Sequence, residues 1–527
     1  MKTTAHVRGS ATASLSGRSG DLLKSLGPLD ATMIVAGSMI GSGIFIVSAD
    51  IARQVRSPAL LIAAWLVTGL MTMMAALCYA ELAAAMPKAG GEYIFLRESF
   101  GSMWAFLYGW TMLLVIQTAT IAAVAIAFAN FAGVLAPRVS ASAWIWRPGT
   151  FGPYRMWFGV LGPYSPGLNT QNLLAILSLV FLTWINTGGI RLGAKVQNIF
   201  TLAKIAALGG LILLGFAFGT RAVRAANFGG FWRNADIFGV HAYAAGQQTV
   251  WVHTLTLVGL AMVGALFSSS AWTNVTFTAA EVRNPGRNLP LSLVLGAGMV
   301  TLLYVLANFA YLQVLPLVGN ATGGSTLERG IQFAAGDRVG TATAEAILGP
   351  VGAVVMAIAV MISTFGCNNG LILSGARVYY AMARDGLFFR RVSTVNRRNA
   401  PSAALWVQCI WACALCLSGT YRQLLDFVVF AVVMFYILTV AGLFVLRIRH
   451  PDIERPYRVF GYPLLPAVYL LLALFIEVQL LRYKPQYTWP GLLIVASGIP
   501  IYALWRIRQG KVNSLAPESA QSNASSA

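Results

Sequence analysis

Few residues in this sequence could do chemistry, and they stand in unusual places. One ammonium, Lys204, lies inside the apolar run NIFTLAKIAALGG. Gly37, Ser38, Gly41, Ser42 and Gly43 interrupt a second apolar run, ATMIVAGSMIGSGIFIV, and Ser268, Ser269 and Ser270 interrupt a third, ALFSSSAWTNVTF. Glycine costs a helix about 1 kcal/mol per position relative to alanine, so the glycine cluster marks a place where a helix can break. A break leaves free carbonyls at the end of the first half and free amides at the start of the second. The carbonyls attract an ammonium; the amides, at the positive end of a helix dipole, attract a carboxylate. Two such breaks facing each other suit a zwitterion, and an α-amino acid is the simplest small solute with both groups on one carbon. Each cluster also has a plainer explanation: small residues spaced by four pack helices closely, and serines bond back to their own helix carbonyls.

Catalysis or metal binding would need clustered acids, bases or metal ligands. The four histidines, His6, His241, His253 and His450, are dispersed, and only His253 approaches an apolar run. Cys78, Cys367, Cys409, Cys413 and Cys416 all sit inside apolar stretches without a His or carboxylate partner, which indicates core filling rather than a metal site or disulfide. No enzyme, cofactor or metal is expected. A channel would require a selectivity filter or a ring of charges, and the sequence displays neither.

The elements that must position these residues follow from composition. Of 527 residues 57% are hydrophobic and 10% charged, against roughly a quarter charged in ordinary soluble chains. The net charge of +20 would suggest a nucleic-acid partner in a soluble protein, but here the basic residues fall between long apolar runs, so a lipid bilayer rather than nucleic acid is the expected partner. A spanning helix needs about 20 mostly apolar residues. Twelve segments qualify: 29–54, 59–86, 101–136, 172–189, 192–219, 253–281, 290–318, 347–381, 401–419, 421–446, 462–483 and 489–505. Lipid cannot satisfy an open backbone, so these must be helices, and the fold class is an all-α polytopic membrane protein. The larger share of Lys and Arg falls on the side of the N-terminus, including Arg377 at the end of the eighth segment and Arg384, Arg390, Arg391, Arg397 and Arg398 after it. By the positive-inside rule both termini are then cytoplasmic, in the cell (plasma) membrane. Residues 1–28 and 509–527 are expected to be disordered cytoplasmic tails, and the first apolar run an uncleaved span rather than a signal peptide. The outer loops 137–171, 220–252 and 319–346 are long enough to hold short helices over an entrance.

The two interruptions lie in segments one and six, five apart. Paired interruptions at corresponding positions of two halves point to a binding site at mid-membrane. Lys204 lies about a dozen residues into the fifth segment, where a charge costs about 2.5 kcal/mol or more, so it should face the bundle and have partners.

Four stretches then stand in order along the chain: GSMIGSGIF (37–45), YAELAAAMPKAGGEYIFLRESFG (79–101), AWTNVTFTAAEVRNPGRNLP (271–290) and LRIRHPDIERPYRVFGYPLLP (446–466). Through them residues 29–505 resemble the amino acid-polyamine-organocation (APC) superfamily, above all its L-type amino acid transporter branch and bacterial relatives. The resemblance implies a LeuT-like five-plus-five inverted repeat, with 29–219 and 253–446 as the two repeats, 462–505 as two further helices, and alternating access. It implies a secondary amino acid transporter, a permease or antiporter, with substrate at Ile40, Gly41, Ser42, Gly43 and Ile44 of one break and Phe267, Ser268, Ser269, Ser270 and Trp272 of the other. Relatives with a lysine like Lys204 use its ammonium where sodium-coupled members place sodium, linking helices one, five and eight, which implies sodium-independent transport. The stretch STFGCNNGLILSGARVYYAMARDG resembles the family's eighth helix, including Asn369, Gly370, Arg377, Arg384 and Gly386; Asn368 and Asn369 could reach Lys204 or substrate, or simply pack. Glu81 and Glu281 are expected to gate or form ion pairs, near basic residues such as Lys88 and Arg283.

Two departures stand out. Ser269, Ser270 and Ala271 precede Trp272 where L-type members carry an aromatic and glycines, and Val432 stands where they tend to carry Asn. The loop after the third segment contains no cysteine, so the disulfide-linked heavy chain of animal relatives is not expected. A neutral amino acid is the favoured substrate, with cationic amino acids or polyamines as the alternative and a membrane-embedded transferase far behind.

Overall fold

The structure, a computed structural model, describes residues 22–157, 159–232, 240–243, 249–252, 254–418 and 421–514. Among the described residues nine helices are long and apolar enough to cross a membrane, and two bent helix pairs bring the number to eleven. The ninth apolar segment forms Ser402–Leu417, at 16 residues shorter than the others. Among the described residues strands occur only as three two-stranded ribbons.

Both interruptions expected from the sequence are breaks. The first span divides into Pro28–Met39 and Gly43–Val55, bent by 41°; the sixth divides into Thr254–Ser268 and Ser270–Phe277, bent by 44°. The second half of the sixth begins as a 3-10 turn, Ser270–Thr273. Several other helices pack on these two. Pro28–Met39 packs on the fifth span (Ile190–Phe218), the seventh (Pro285–Val314) and the eighth (Pro350–Arg384), while Gly43–Val55 packs on Thr254–Ser268. Glycine permits these contacts: a Cβ on Gly37 would fall 2.1 Å from both Gln197 Nε2 and Thr201 Oγ1. Close packing and helix breakage, posed as alternatives, thus coexist in one cluster. The third span, Ser102–Leu135, carries a π-helical turn at Met112–Ile116, a local widening often found at functional sites.

Links 86–101, 281–285, 384–401 and 446–463 meet on one face, the basic face, where Arg97 pairs with Asp385 and where Arg377 of the eighth span holds Glu281 and Arg447 holds Glu81 of the second. Two expectations need correction. Loop 137–171 forms short ribbons rather than helices: Trp144–Trp146 pairs with Leu168–Asn169 and Tyr154–Met156 with Gly159–Leu161. Its Gly and Pro content opposes helix while its aromatics favour strands. The other outer loops do contain helices, at Arg221–Phe228, Thr326–Arg329 and Val339–Leu348. The expected N-terminal tail is ordered at its end, where Ser25 and Leu26 donate backbone N–H bonds to Glu281 O and Arg283 donates to Leu26 O, each at 2.9 Å. Residues 1–21 and 515–527, the bulk of both expected tails, lie outside the described residues.

Candidate functional site

Lys204 is fully buried, and its ammonium donates to Gly37 O at 2.7 Å and Ile40 O at 2.9 Å. These are carbonyls released where the first span stops being helical. The eighth span completes the cradle. Ser363 Oγ donates to Ile40 O and Gly41 O, both at 3.1 Å, and Cys367 Sγ lies 3.0 Å from Ser38 O. Cys367 therefore caps a carbonyl as well as filling the core. From the seventh span Tyr304 reaches both breaks: its hydroxyl is 2.9 Å from Met39 O and 3.3 Å from Ser268 O. The first break's carbonyls thus already have donors from three neighbouring helices. Of the amides that open Gly43–Val55, that of Phe45 donates to Ser42 O at 3.1 Å, and the positive end of that half is its anion-attracting feature.

The breaks meet at Gly43 and Ser268, where a Cβ on Gly43 would stand 2.0 Å from Ser268 Oγ and 2.7 Å from Ser268 Cβ. At Gly41 the corresponding atom would meet only Cys367 Sγ, at 3.2 Å. Ser268 Oγ donates back to Gly264 O at 2.9 Å and Ser270 Oγ to Phe267 O at 2.8 Å, so serine back-bonding accompanies the break.

Two small cavities flank the second break. One, about 20 Å³, is bordered by Phe267, Ser269, Trp272, Val428 and Val433; the other, about 30 Å³, by Glu92, Thr120, Asn274, Phe277 and Leu371. Ser270, Val432 and Tyr436 border both. Each has room for about one or two waters and none for an amino acid. Larger depressions open on the two faces: about 650 Å³ near Gln171, Arg329 and Glu345, and about 570 Å³ near Lys88, Arg97 and Asp385 on the basic face. Among the described residues none borders both a central cavity and one of these depressions. Of the expected site residues, Phe267, Ser269, Ser270 and Trp272 line a central cavity, whereas Ile40, Gly41, Ser42, Gly43, Ile44 and Ser268 form the packed wall behind it. Trp272 is wedged between Tyr79 and Tyr436, with ring centroids 4.7 and 5.3 Å away, and Tyr436 donates to Ser270 O at 2.5 Å.

The acidic residues pair across long sequence distances. Glu281 takes Arg377 in a two-pronged bridge, Nε to Oε2 at 2.9 Å and Nη2 to Oε1 at 3.2 Å, both side chains buried. Glu81 takes Arg447 at 2.5 and 2.9 Å, Arg455 at 3.5 Å and the Val459 amide at 2.7 Å. The partners are thus Arg377 and Arg447, not the sequence neighbours Arg283 and Lys88. Asn369 braces helices: it donates to Gly193 O at 3.1 Å and Gln197 Oε1 at 3.0 Å and accepts from Asn186 at 2.9 Å. Removing one partner of a buried pair costs about 3 to 5 kcal/mol, more than removing both. Glu281→Ala is therefore expected to lower the thermal midpoint of the purified protein further than the double change Glu281→Ala, Arg377→Met. Equal or reversed midpoints would show that the pair contributes nothing as a unit.

Tyr304, Ser363, Tyr436 and Glu92 were missed by sequence reasoning. A lone hydroxyl in an apolar run carries no periodic signal, and what each one touches lies far away in the chain. Glu92 alone offered a cue, as a carboxylate directly after Gly90–Gly91 in a link between apolar runs.

Comparison with known proteins yields consistent similarities. Residues 26–503 match the amino acid permease family. Large neutral amino acids transporter small subunit 2 of Mus musculus is 32% identical over 495 residues, covering 94% of this chain and 83% of that protein. The b(0,+)-type amino acid transporter 1 of Mus musculus is 30% identical over 488 residues, 92% of this chain and 88% of its own. The Asc-type amino acid transporter 1 of the same species is 29% identical over 489 residues, covering 92% and 82%.

Proposed function

The chain belongs to the amino acid permease family, a family of multi-pass membrane transporters rather than enzymes, and on that premise we propose that it moves a neutral amino acid by alternating access, binding it at the facing breaks of spans one and six without sodium. The observation that carries this reading is the apposition of the breaks, Gly43 against Ser268 with Tyr304 bonded toward both. Closing the centre while depressions remain on both faces is the arrangement an alternating-access carrier passes through. The substrate carboxylate would take the amides at the start of Gly43–Val55, and its ammonium the second lone pairs of carbonyls such as Gly41 O and Ser38 O. Val428, Val429, Val432 and Val433 give the side-chain end an apolar wall, which favours a neutral side chain over a cationic one.

Lys204 supports sodium independence, because its ammonium already neutralises the two carbonyl oxygens a cation would seek. The twelve-span count follows if Ser402–Leu417, about 24 Å long at 1.5 Å per residue, also crosses. Bends of 41° and 44° five spans apart are what two inverted repeats, 29–219 and 253–446, would produce. The basic face is then cytoplasmic, with both termini, and the protein sits in the plasma membrane as a self-sufficient carrier, since loop 137–171 offers no cysteine for a heavy chain. Uptake of an equimolar mixture of the twenty radiolabelled amino acids into proteoliposomes is expected to saturate, to be stimulated by internal amino acids, and to be equal in sodium and choline buffers. A sodium requirement would defeat the role given to Lys204, and absence of saturable uptake would defeat the transport reading itself.

A further inference from the structure

We propose that Glu92 is a proton-binding site that ties opening of the basic face to pH, an inference that rests on the transport reading above only for its consequence. Glu92 starts the short helix Glu92–Phe100 behind the Gly90–Gly91 turn and is 1% exposed. Three hydroxyls from three different spans converge on its carboxyl: Tyr79 at 2.7 Å, Tyr108 at 3.0 Å and Thr439 at 3.3 Å. Among the described residues no Lys, Arg or His forms a hydrogen bond or ion pair with it, unlike Glu81 and Glu281, each of which holds an arginine. A buried carboxylate without a cation is costly, and taking up a proton removes that cost. Burial pushes Glu92 up to about 7 against the opposing pull of the three hydroxyls.

The remaining groups around it are neutral or already paired. Tyr79 comes from the second span, Tyr108 from the third, Tyr436 from the tenth and Tyr469 from the eleventh. From the eighth span and its end come Tyr379 and Asp385, the latter engaged by Tyr93 and Arg97. Beyond them toward the basic face stand Arg377 on Glu281, and Arg447 and Arg455 on Glu81.

What links this carboxyl to movement is its attachment to the sixth span. The Gly90 amide donates to Phe277 O at 3.0 Å, and a Cβ on Gly91 would lie 2.2 Å from Thr276 Oγ1, so the turn is moulded onto the second half of the broken helix. Glu92 borders the 30 Å³ cavity with Ser270 and Asn274, and its donor Tyr79 packs on Trp272. If Ser270–Phe277 swings away to open the basic face, the turn separates from it, water reaches Glu92 and the carboxylate becomes the favoured form. The closed arrangement therefore binds the proton more tightly. By linkage, falling pH favours closure and rising pH favours opening.

The test uses purified full-length protein and Glu92→Gln, whose amide mimics the protonated acid. Infrared difference titration is expected to show a protonated-carboxyl band that disappears as pH rises through neutrality in the wild type and is missing from Glu92→Gln. In proteoliposomes, uptake of the labelled amino acid mixture is expected to change at least about threefold between about pH 6 and pH 8 in the wild type, and to stay at the acid level in Glu92→Gln. Tyr79→Phe removes a donor that favours the charged form, so it should move the midpoint to higher pH; it also carries the test if Glu92→Gln does not fold. An unchanged carboxyl band or pH profile in Glu92→Gln overturns the proposal, as does selective loss of lysine and arginine uptake with the profile intact, which would make Glu92 a side-chain receptor. If the wild type takes up no amino acid, the transport reading fails while the infrared titration still decides whether Glu92 binds the proton.

Discussion

Lys204→Ala is expected to reduce amino acid uptake to background while the protein remains monodisperse in detergent. Among the described residues the ammonium is the only donor to Gly37 O and one of two to Ile40 O, and it joins the fifth span to the first at the point where the first span breaks. A hydrogen bond to a charged group contributes about 1.5 to 3 kcal/mol, so losing two shifts the balance between the closed arrangement and its alternatives by about a hundredfold or more. Ser363 still covers Ile40 O and Gly41 O, which is why the fold should survive. Lys204→Met retains the stem but not the charge and should fail equally, separating loss of the ammonium from loss of volume. Uptake near the wild-type level in either variant would remove Lys204 from the mechanism.

Gly43→Val should abolish substrate binding by a different route. The added Cβ would arrive 2.0 Å from Ser268 Oγ and 3.2 Å from Ser268 Cα, and the backbone atom cannot move aside without displacing the sixth span. Overpacking of this kind costs about 1 to 3 kcal/mol for small additions, and valine adds two further methyls beyond the first contact. The expected readout is loss of any amino-acid-induced thermal stabilisation, with membrane insertion and yield unchanged. A compensating change discriminates apposition from general strain: Ser268→Gly removes the opposing side chain and should restore part of the loss in Gly43→Ala, a positive coupling in the double-mutant cycle. Additive losses would mean that the two breaks do not touch in the working protein.

Much of the fold was legible because its physical cause is local. Apolar run length announces a spanning helix, and Gly41, Ser42 and Gly43 or Ser268, Ser269 and Ser270 announce where a helix is weakest, since both depend on residues within one or two turns. The site was legible only in part. Serine back-bonding at Ser268 and Ser270 looked like an alternative to a break and turned out to accompany it. Nearby basic residues such as Lys88 and Arg283 suggest ion pairs for Glu81 and Glu281 but do not name the partner: a carboxylate pairs with whatever cation the packing brings within about 4 Å, and for Glu281 that is Arg377, 96 residues away.

By itself, then, the sequence determined a bundle of apolar helices, two weak points five spans apart, and one ammonium too deep in an apolar run to be incidental. Burial energetics and helix propensity act along the chain and leave their record there. Only the tertiary structure decided what meets at the weak points: that Lys204, Ser363, Cys367 and Tyr304 already occupy the first break's carbonyls, that the central cavities lie on the sixth span's side, and that Glu92 ends beneath them with three hydroxyls and, among the described residues, no cation. Those facts depend on directional bonds between residues as much as 347 positions apart, and no local pattern encodes the partner of a hydrogen bond formed across a bundle.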